Sequence, residues 1–191
     1  MPHGGVARRS GTKYVAEVKS SALSTRLIGF EFSTEQTYIL EFGNEYIRFI
    51  KSGAQIREAN KTISGITKAN PAVVTSNSHG YSNGQEVFIS GVVGMTEVNN
   101  KSFKVASVAT NTFALQDMSS TNVNSGGFTT YGSGGVANRV YTVASPYLTA
   151  ELFELQVAQS NDVMYIVHPN HAPRKLTRTG HTAWTLTEVA F

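Results

Sequence analysis

The chain has 191 residues, a formal net charge of +3 and no cysteine. The length allows a buried core in one domain or in two smaller ones, and the absence of cysteine excludes a disulfide framework, a thiolate zinc site and a cysteine nucleophile. The 16 lysines and arginines are spread along the chain, which argues against a dedicated nucleic-acid reader because such a protein needs a dense basic face.

The first ten residues contain a basic pair but no apolar run, so they predict neither a signal peptide nor a membrane anchor, and no membrane insertion is expected. Beyond them, short runs rich in Val, Ile, Tyr, Phe and Thr alternate with Gly, Asn and Ser clusters and predict an all-β protein. The only helical candidate is residues 149–158, where a short turn is an equal alternative. The predicted strands are 13–18, 26–32, 38–42, 46–50, 86–92, 102–108, 112–116, 163–167 and 185–189.

Residues 38–42 and 46–50 are predicted to form a β-hairpin closed by a Gly-Asn-Glu turn. Small and polar residues let the backbone turn there with positive φ at low cost. The period-2 alternation of a strand then predicts one core-facing row, made of Tyr38, Leu40 and Phe42.

A sequence similar to that of this hairpin occurs near the C-terminus. Ser33 is followed five residues later by Tyr38-Ile39-Leu40, and Ser160 is followed five residues later by Tyr165-Ile166-Val167. A repeated strand-turn-strand unit cannot bury its apolar face alone, so such copies pack side by side. Both a propeller-like body and a body of layered β-hairpins fit this pattern.

The composition changes between the two copies. Residues 63–138 are poor in charge and rich in Ser, Thr, Asn and Gly, which predicts a small, separate β-barrel. Residues 1–62 and 139–191 then form one discontinuous β body into which the barrel is inserted, an arrangement that surface loops tolerate. The glycine-rich residues 131–135 are interpreted as a flexible return linker.

Several stretches of the flanking segments carry a recognisable pattern: PHGG at 2–5, RRSGTKYV at 8–15, RLIGFEFSTEQ at 26–36, AQSNDVMYIVHP at 158–169 and PRKL at 173–176. They resemble the nozzle and DNA-stabilisation proteins of podovirus-type phage tails. The resemblance implies a subunit that assembles into a ring at the end of a short tail. Because proteins of that family are usually much longer, it also implies that this chain is a fragment or a shortened version.

The middle segment carries a second pattern: SHGYSNGQEVFI at 78–89, GMTEVN at 94–99, FKV at 103–105 and TFAL at 112–115. It resembles the small β-barrel named FCCH, after the first catalytic cysteine half-domain of ubiquitin-activating enzymes. A chain without cysteine cannot form a thioester, so no ubiquitin chemistry is expected from it.

No catalytic residue, metal site or cofactor is predicted, and the chain is predicted not to be an enzyme. Glu151 and Glu154, at i and i+3, are interpreted as the solvated face of a short helix, with a depolymerising hydrolase as a third alternative. The histidines are interpreted as polar loop residues rather than metal ligands. The local histidine group consists of His168, His171 and His181, with Asp162 upstream.

The function expected from the resemblance is that of a structural virion protein, made in the host bacterial cytoplasm and placed in the virion tail. Its expected partners are copies of itself in the full-length protein, other tail or adaptor proteins, and DNA through transient non-specific contact. The candidate channel or partner contacts are Arg8, Arg9, Arg174 and Lys175.

The alternative function is a receptor-binding or glycan-binding adhesion module of a phage tail. In that case aromatic residues in the loops of the inserted barrel provide the contact surface. The candidate exposed aromatic contacts are Tyr81, Phe128 and Tyr131.

Overall fold

The computed structural model describes residues 11–33 and 36–190, so Arg8 and Arg9 lie outside the described residues. The described part is built of β-strands and two single-turn 3₁₀ helices, which span Thr96–Val98 and Thr149–Glu151. Within these ranges no helix has the length and apolar character needed to cross a membrane. The strands are β1 (Arg26–Ser33), β2 (Gln36–Gly43), β3 (Tyr46–Lys51), β4 (Ala54–Gln55), β5 (Lys61–Thr62), β6 (Gly65–Ile66), β7 (Val73–Thr75), β8 (Glu86–Val93), β9 (Lys101–Ala106), β10 (Thr112–Gln116), β11 (Ser133–Arg139), β12 (Thr142–Ala144), β13 (Gln156–Ser160), β14 (Val163–His168), β15 (His171–Gly180) and β16 (Ala183–Glu188).

These strands form three sheets, and the prediction of an all-β fold is confirmed. The first sheet has the order β1-β2-β3-β12, with β4 paired to β3. The second sheet has the order β5-β11-β8-β9-β10-β7-β6 and bends into a half-barrel. We call it the curled sheet. The third sheet, β13-β14-β15-β16, follows the chain order. The chain therefore leaves the first sheet after β4, builds the curled sheet, and returns to the first sheet with β12.

Two hydrophobic cores lie within the described residues. One contains buried residues between positions 63 and 137 and fills the curled sheet. The other joins residues 28–49 to residues 147–184, so the first and third sheets share one core and form a layered β body. Trp184 lies at its centre, with ring centroids 4.8 Å from Phe30 and 4.5 Å from Phe49. The curled sheet therefore has a hydrophobic core of its own.

The predicted hairpin at residues 38–50 is present as β2 and β3. Tyr38, Leu40 and Phe42 are fully buried, as the alternation predicts. Glu45 in the turn has a φ of 62°, a conformation that short polar turns accommodate. The opposite face of β2 is mixed, because its Glu41 side chain is also buried.

Two sequence-based assignments are wrong, and one open alternative is decided. Residues 13–18 form no strand. Of the two alternatives for residues 149–158, the short turn is the one present, as one 3₁₀ turn that leads into β13. Residues 131–135 are not a flexible linker, because β11 begins at Ser133 and pairs with both β8 and β5. A Cβ atom at Gly135 would lie 2.5 Å from the Val92 side chain. The glycine is needed here for close strand packing rather than for flexibility.

The two similar strand-turn-strand sequences do not pack in the same way. Tyr38 is fully buried, whereas Tyr165 is 46% exposed. A shift of one residue moves every side chain of a strand to the other face of its sheet. The two strand-turn-strand units therefore use opposite faces of similar sequences to cover their shared core.

Candidate functional site

The predicted basic contacts that fall in the described part, Arg174 and Lys175, are neighbours on β15 and consequently point to opposite faces. The Arg174 guanidinium pairs with Glu188 across β15 and β16. Lys175 is exposed and lies directly across from Tyr165 of β14. Of these two cations, Lys175 is the more exposed.

The predicted exposed aromatic residues do not form an exposed surface. Tyr81 is only 7% exposed, and its hydroxyl donates a 2.9 Å hydrogen bond to the carbonyl oxygen of Ala137. Phe128 and Tyr131 are half-buried against the same core. The prediction is wrong for Tyr81 because a tyrosine between two turns can bury its ring and still satisfy its hydroxyl with a backbone carbonyl.

The buried position of Tyr81 has a measurable consequence at alkaline pH. Burial, followed by the charge of Glu58, raises the pKa of Tyr81 from 10.0 to about 12. Its contribution to stability is therefore fully present below about pH 10 and is lost as the pH rises through about 12. In an absorbance titration of tyrosinate, we expect Tyr81→Phe to remove one late-ionising tyrosine. Late ionisation of Tyr46 and Tyr147, whose pKa values are also raised, should remain in this variant. An unchanged number of late-ionising tyrosines in Tyr81→Phe would contradict the assignment.

A buried ionic network joins the first sheet to the curled sheet. Arg48 of β3 is fully buried, and its Nη2 atom donates to both carboxylate oxygens of Glu41 on β2, at 2.8 and 2.9 Å. Its Nη1 atom donates to Glu86 on β8, and Nη2 also donates to the carbonyl oxygen of Glu17 at 2.8 Å. One guanidinium thus connects two sheets and the segment that precedes β1.

Burial and the charges of this network shift the pKa values of its side chains. Burial lowers the pKa of the Arg48 guanidinium, but the charges of Glu86 and Glu41 outweigh that effect, and the net pKa is raised. Burial, together with the hydrogen bond to Glu41, raises the pKa of Tyr46. Burial and the charge of Arg48 lower the pKa of Lys19. Both carboxylates are engaged by Arg48, so the network is suited to holding two sheets together rather than to acid-base chemistry.

Further contacts fix the two chain segments that connect the body with the curled sheet. The Arg57 guanidinium lies 3.4 Å from the ring centroid of Phe88, a cation-π contact. The Arg139 side chain pairs with Glu58, so the outgoing and returning segments are joined to each other. The curled sheet is therefore attached through both of its connections as well as through Arg48.

A second polar cluster lies at one end of the third sheet. His168 ends β14 and His171 begins β15, and the two residues are directly paired across the hairpin. The Nε2 atom of His171 lies 3.0 Å from Oε2 of Glu151, in the 3₁₀ turn before β13. The hydrogen bond from the backbone of Leu148, followed by that of His171, lowers the pKa of Glu151.

This cluster overturns two sequence-based interpretations. His168 is 6% exposed and is a buried residue at the end of a strand rather than a polar loop residue. Glu151 and Glu154 do not mark a solvated helix face, since Glu151 contacts His171 and Glu154 lies beside His168. His181 is elsewhere, with its Nδ1 atom 2.7 Å from the Tyr38 hydroxyl.

A comparison with known protein families found a match for the part of the chain that forms most of the curled sheet. Residues 69–141 match the ubiquitin-activating enzyme E1 FCCH domain. The matched range contains β7 to β11 and accounts for well under half of the chain. The FCCH domain is a non-catalytic module, and the resemblance predicted for this segment is confirmed. We refer below to residues 69–141 as the FCCH-like module.

The flanking segments remain without such a match. No curated protein matches the chain, and the FCCH match does not extend into residues 1–68 or 142–191. The resemblance of the flanking segments to phage nozzle proteins therefore stays a prediction.

Proposed function

We propose that the chain is a non-catalytic structural subunit of a phage-type short tail, acting as a nozzle or channel-sealing component. The observation that best supports this proposal is the fixed attachment of the FCCH-like module to the β body. The Arg48 guanidinium is buried between Glu41 of the body and Glu86 of the module. Breaking a buried ion pair is strongly unfavourable, so this pair holds the module against the body, and a defined geometry is what a subunit in a ring requires.

The outer face of the third sheet is the surface we assign to neighbouring subunits. Tyr165 and Val167 of β14 are 46% and 43% exposed, and Lys175 lies across from Tyr165. Exposed tyrosines are enriched among the anchor residues of protein interfaces. We assign this face to copies of the chain or to other tail and adaptor proteins. The protein would be made in the host cytoplasm and carried in the virion tail.

The location is tested by quantitative mass spectrometry of purified phage or prophage particles from the source bacterium. We expect peptides from both the body and the FCCH-like module, at several copies per particle. Fractionation should place them with the tail rather than with the head. Their absence from intact particles would refute the proposal.

Contact with passing DNA should be weak and should depend on salt. Lys175 is exposed, whereas Arg174 is already paired with Glu188. We expect duplex DNA to bind only at low ionic strength, and we expect Lys175→Gln to lower the slope of log affinity against log salt by about one. Fluorescence anisotropy measures this slope. Arg174→Gln is the matched control, and an equal loss in both variants would contradict the role of Lys175.

The alternative adhesion function loses the residues on which it depends. Tyr81 is buried, and the hydroxyl of Tyr131 lies 3.1 and 3.0 Å from two backbone carbonyl oxygens. A glycan platform needs an aromatic face open to solvent. The structural role is therefore the better supported of the two proposals.

A further inference from the structure

The cluster at the end of the third sheet has the geometry of a metal site. Glu151, His168 and His171 each offer one ligand atom, and these three atoms all lie within 4.8 Å of one another. The β14–β15 pairing places the two histidines opposite each other, with ring centroids 5.1 Å apart. The 3₁₀ turn Thr149–Glu151 brings the carboxylate to them. Sheet pairing and a fixed turn, rather than free loops, therefore position the three side chains.

A second observation points to a ligand. The Nε2 atom of His168 is buried and makes no hydrogen bond. The Oε2 atom of Glu154 lies 3.2 Å away, without the geometry of a hydrogen bond. A buried polar atom without a partner is unfavourable and calls for an explanation. A cation bound between this nitrogen and the carboxylate oxygens would give the Nε2 atom a partner and neutralise charge on the carboxylates.

We propose that Glu151, His168 and His171, with Glu154 as fourth ligand, bind one transition-metal cation of the Zn²⁺ class. Two imidazole nitrogens and two carboxylate oxygens form a borderline donor set that suits Zn²⁺, whereas Mg²⁺ and Ca²⁺ prefer oxygen ligands alone. Tetrahedral ligands about 2.1 Å from an ion lie about 3.4 Å from one another. The three ligand atoms lie within 4.8 Å of one another and must therefore close by up to about 1.4 Å, which the partly exposed side chains of Glu151 and His171 allow.

Binding also sets the tautomer of His168. The Asn170 backbone N–H donates to its Nδ1 atom at 3.1 Å, so the neutral ring without the ion carries its proton on Nε2. When Nε2 binds the cation, that proton moves to Nδ1, so binding breaks the hydrogen bond that Nδ1 accepts from the Asn170 N–H. The bound ion then links the 3₁₀ turn to the β14–β15 hairpin. This site is independent of the proposed tail function.

The test is isothermal titration calorimetry of the full chain after treatment with EDTA, using zinc chloride and, as the control metal, magnesium chloride. We expect one Zn²⁺ per chain and no Mg²⁺ binding. Glu151→Gln and His171→Gln should each weaken Zn²⁺ binding at least tenfold. His181→Gln is the matched control, because His181 lies outside the cluster, and it should bind as the wild type does.

Folding of each variant is checked by the fluorescence of Trp184, which lies in the core of the body. The substituted side chains are about one-fifth exposed, and two variants at different positions guard against the misfolding of either one. Absence of Zn²⁺ binding by the wild type would overturn the proposal. So would unchanged binding by both cluster variants, or an equal loss in His181→Gln.

Discussion

Arg48→Ala is expected to destabilise the protein by about 3–5 kcal/mol, because it leaves buried carboxylates without their cation. Arg48, Glu41 and Glu86 have side chains that are 1%, 4% and 4% exposed. Water therefore cannot replace the guanidinium without opening the structure. Urea unfolding followed by the fluorescence of Trp184, the one tryptophan of the chain, measures the loss.

Two comparisons identify the cause of that loss. Arg139→Ala removes a cation from a pair at the same junction, but its side chain and that of Glu58 are 33% and 30% exposed. We expect a cost of about 1 kcal/mol or less for this control. The triple variant Arg48→Met, Glu41→Gln, Glu86→Gln removes the three charges of the buried ion pairs and should recover part of the stability. An Arg48→Ala cost no larger than the Arg139→Ala cost would contradict a buried network.

The β2–β3 hairpin could be predicted because its signals are local. Alternation identifies the buried row of Tyr38, Leu40 and Phe42, and a short polar turn closes the strands. The same pairing places Glu41 opposite Arg48, which is a local signal for half of the ionic network. Glu86 could not be predicted as the other half, since it follows in the chain by 38 residues and reaches Arg48 only when the curled sheet folds against the body.

The cluster of His168, His171 and Glu151 could not be predicted from the sequence for a similar reason. The sequence places His168 and His171 around a turn, which predicts polar loop residues. The structure pairs them across two strands and buries His168. The spacing of Glu151 and Glu154 fits a helical period and predicts a solvated helix face. That turn is too short to form such a face, and tertiary packing directs Glu151 to His171 instead.

The glycine-rich segment at 131–135 shows why composition alone was misleading. Glycine is frequent in flexible linkers, and it is also required where two backbones approach closely. A sequence does not distinguish these two roles. The backbone of Gly132 donates a 2.8 Å hydrogen bond to the carbonyl oxygen of Val93, so this segment is held against the chain next to Gly94. The close approach makes Gly94 sensitive to substitution.

Gly94→Ala is expected to destabilise the FCCH-like module by about 3 kcal/mol. Its φ is +92°, and a Cβ atom there would lie 2.3 Å from the carbonyl oxygen of Thr130 and 2.6 Å from the amide nitrogen of Gly132. The left-handed backbone accounts for about 1–2 kcal/mol of this cost, and forced displacement of packed atoms accounts for about 1–3 kcal/mol. Both contacts are with backbone, so rotation of a side chain cannot relieve them. Thermal unfolding followed by far-ultraviolet circular dichroism measures the effect.

Gly84→Ala separates the two contributions. Gly84 has a φ of +81°, but nothing lies within 4 Å of an added Cβ atom. We therefore expect only the backbone cost, about 1–2 kcal/mol. The difference between the two variants measures how tightly the segment that was interpreted as a linker packs on β8. Equal destabilisation by both substitutions would mean that Thr130 and Gly132 move away at little cost, and the segment would then be flexible as its composition predicted.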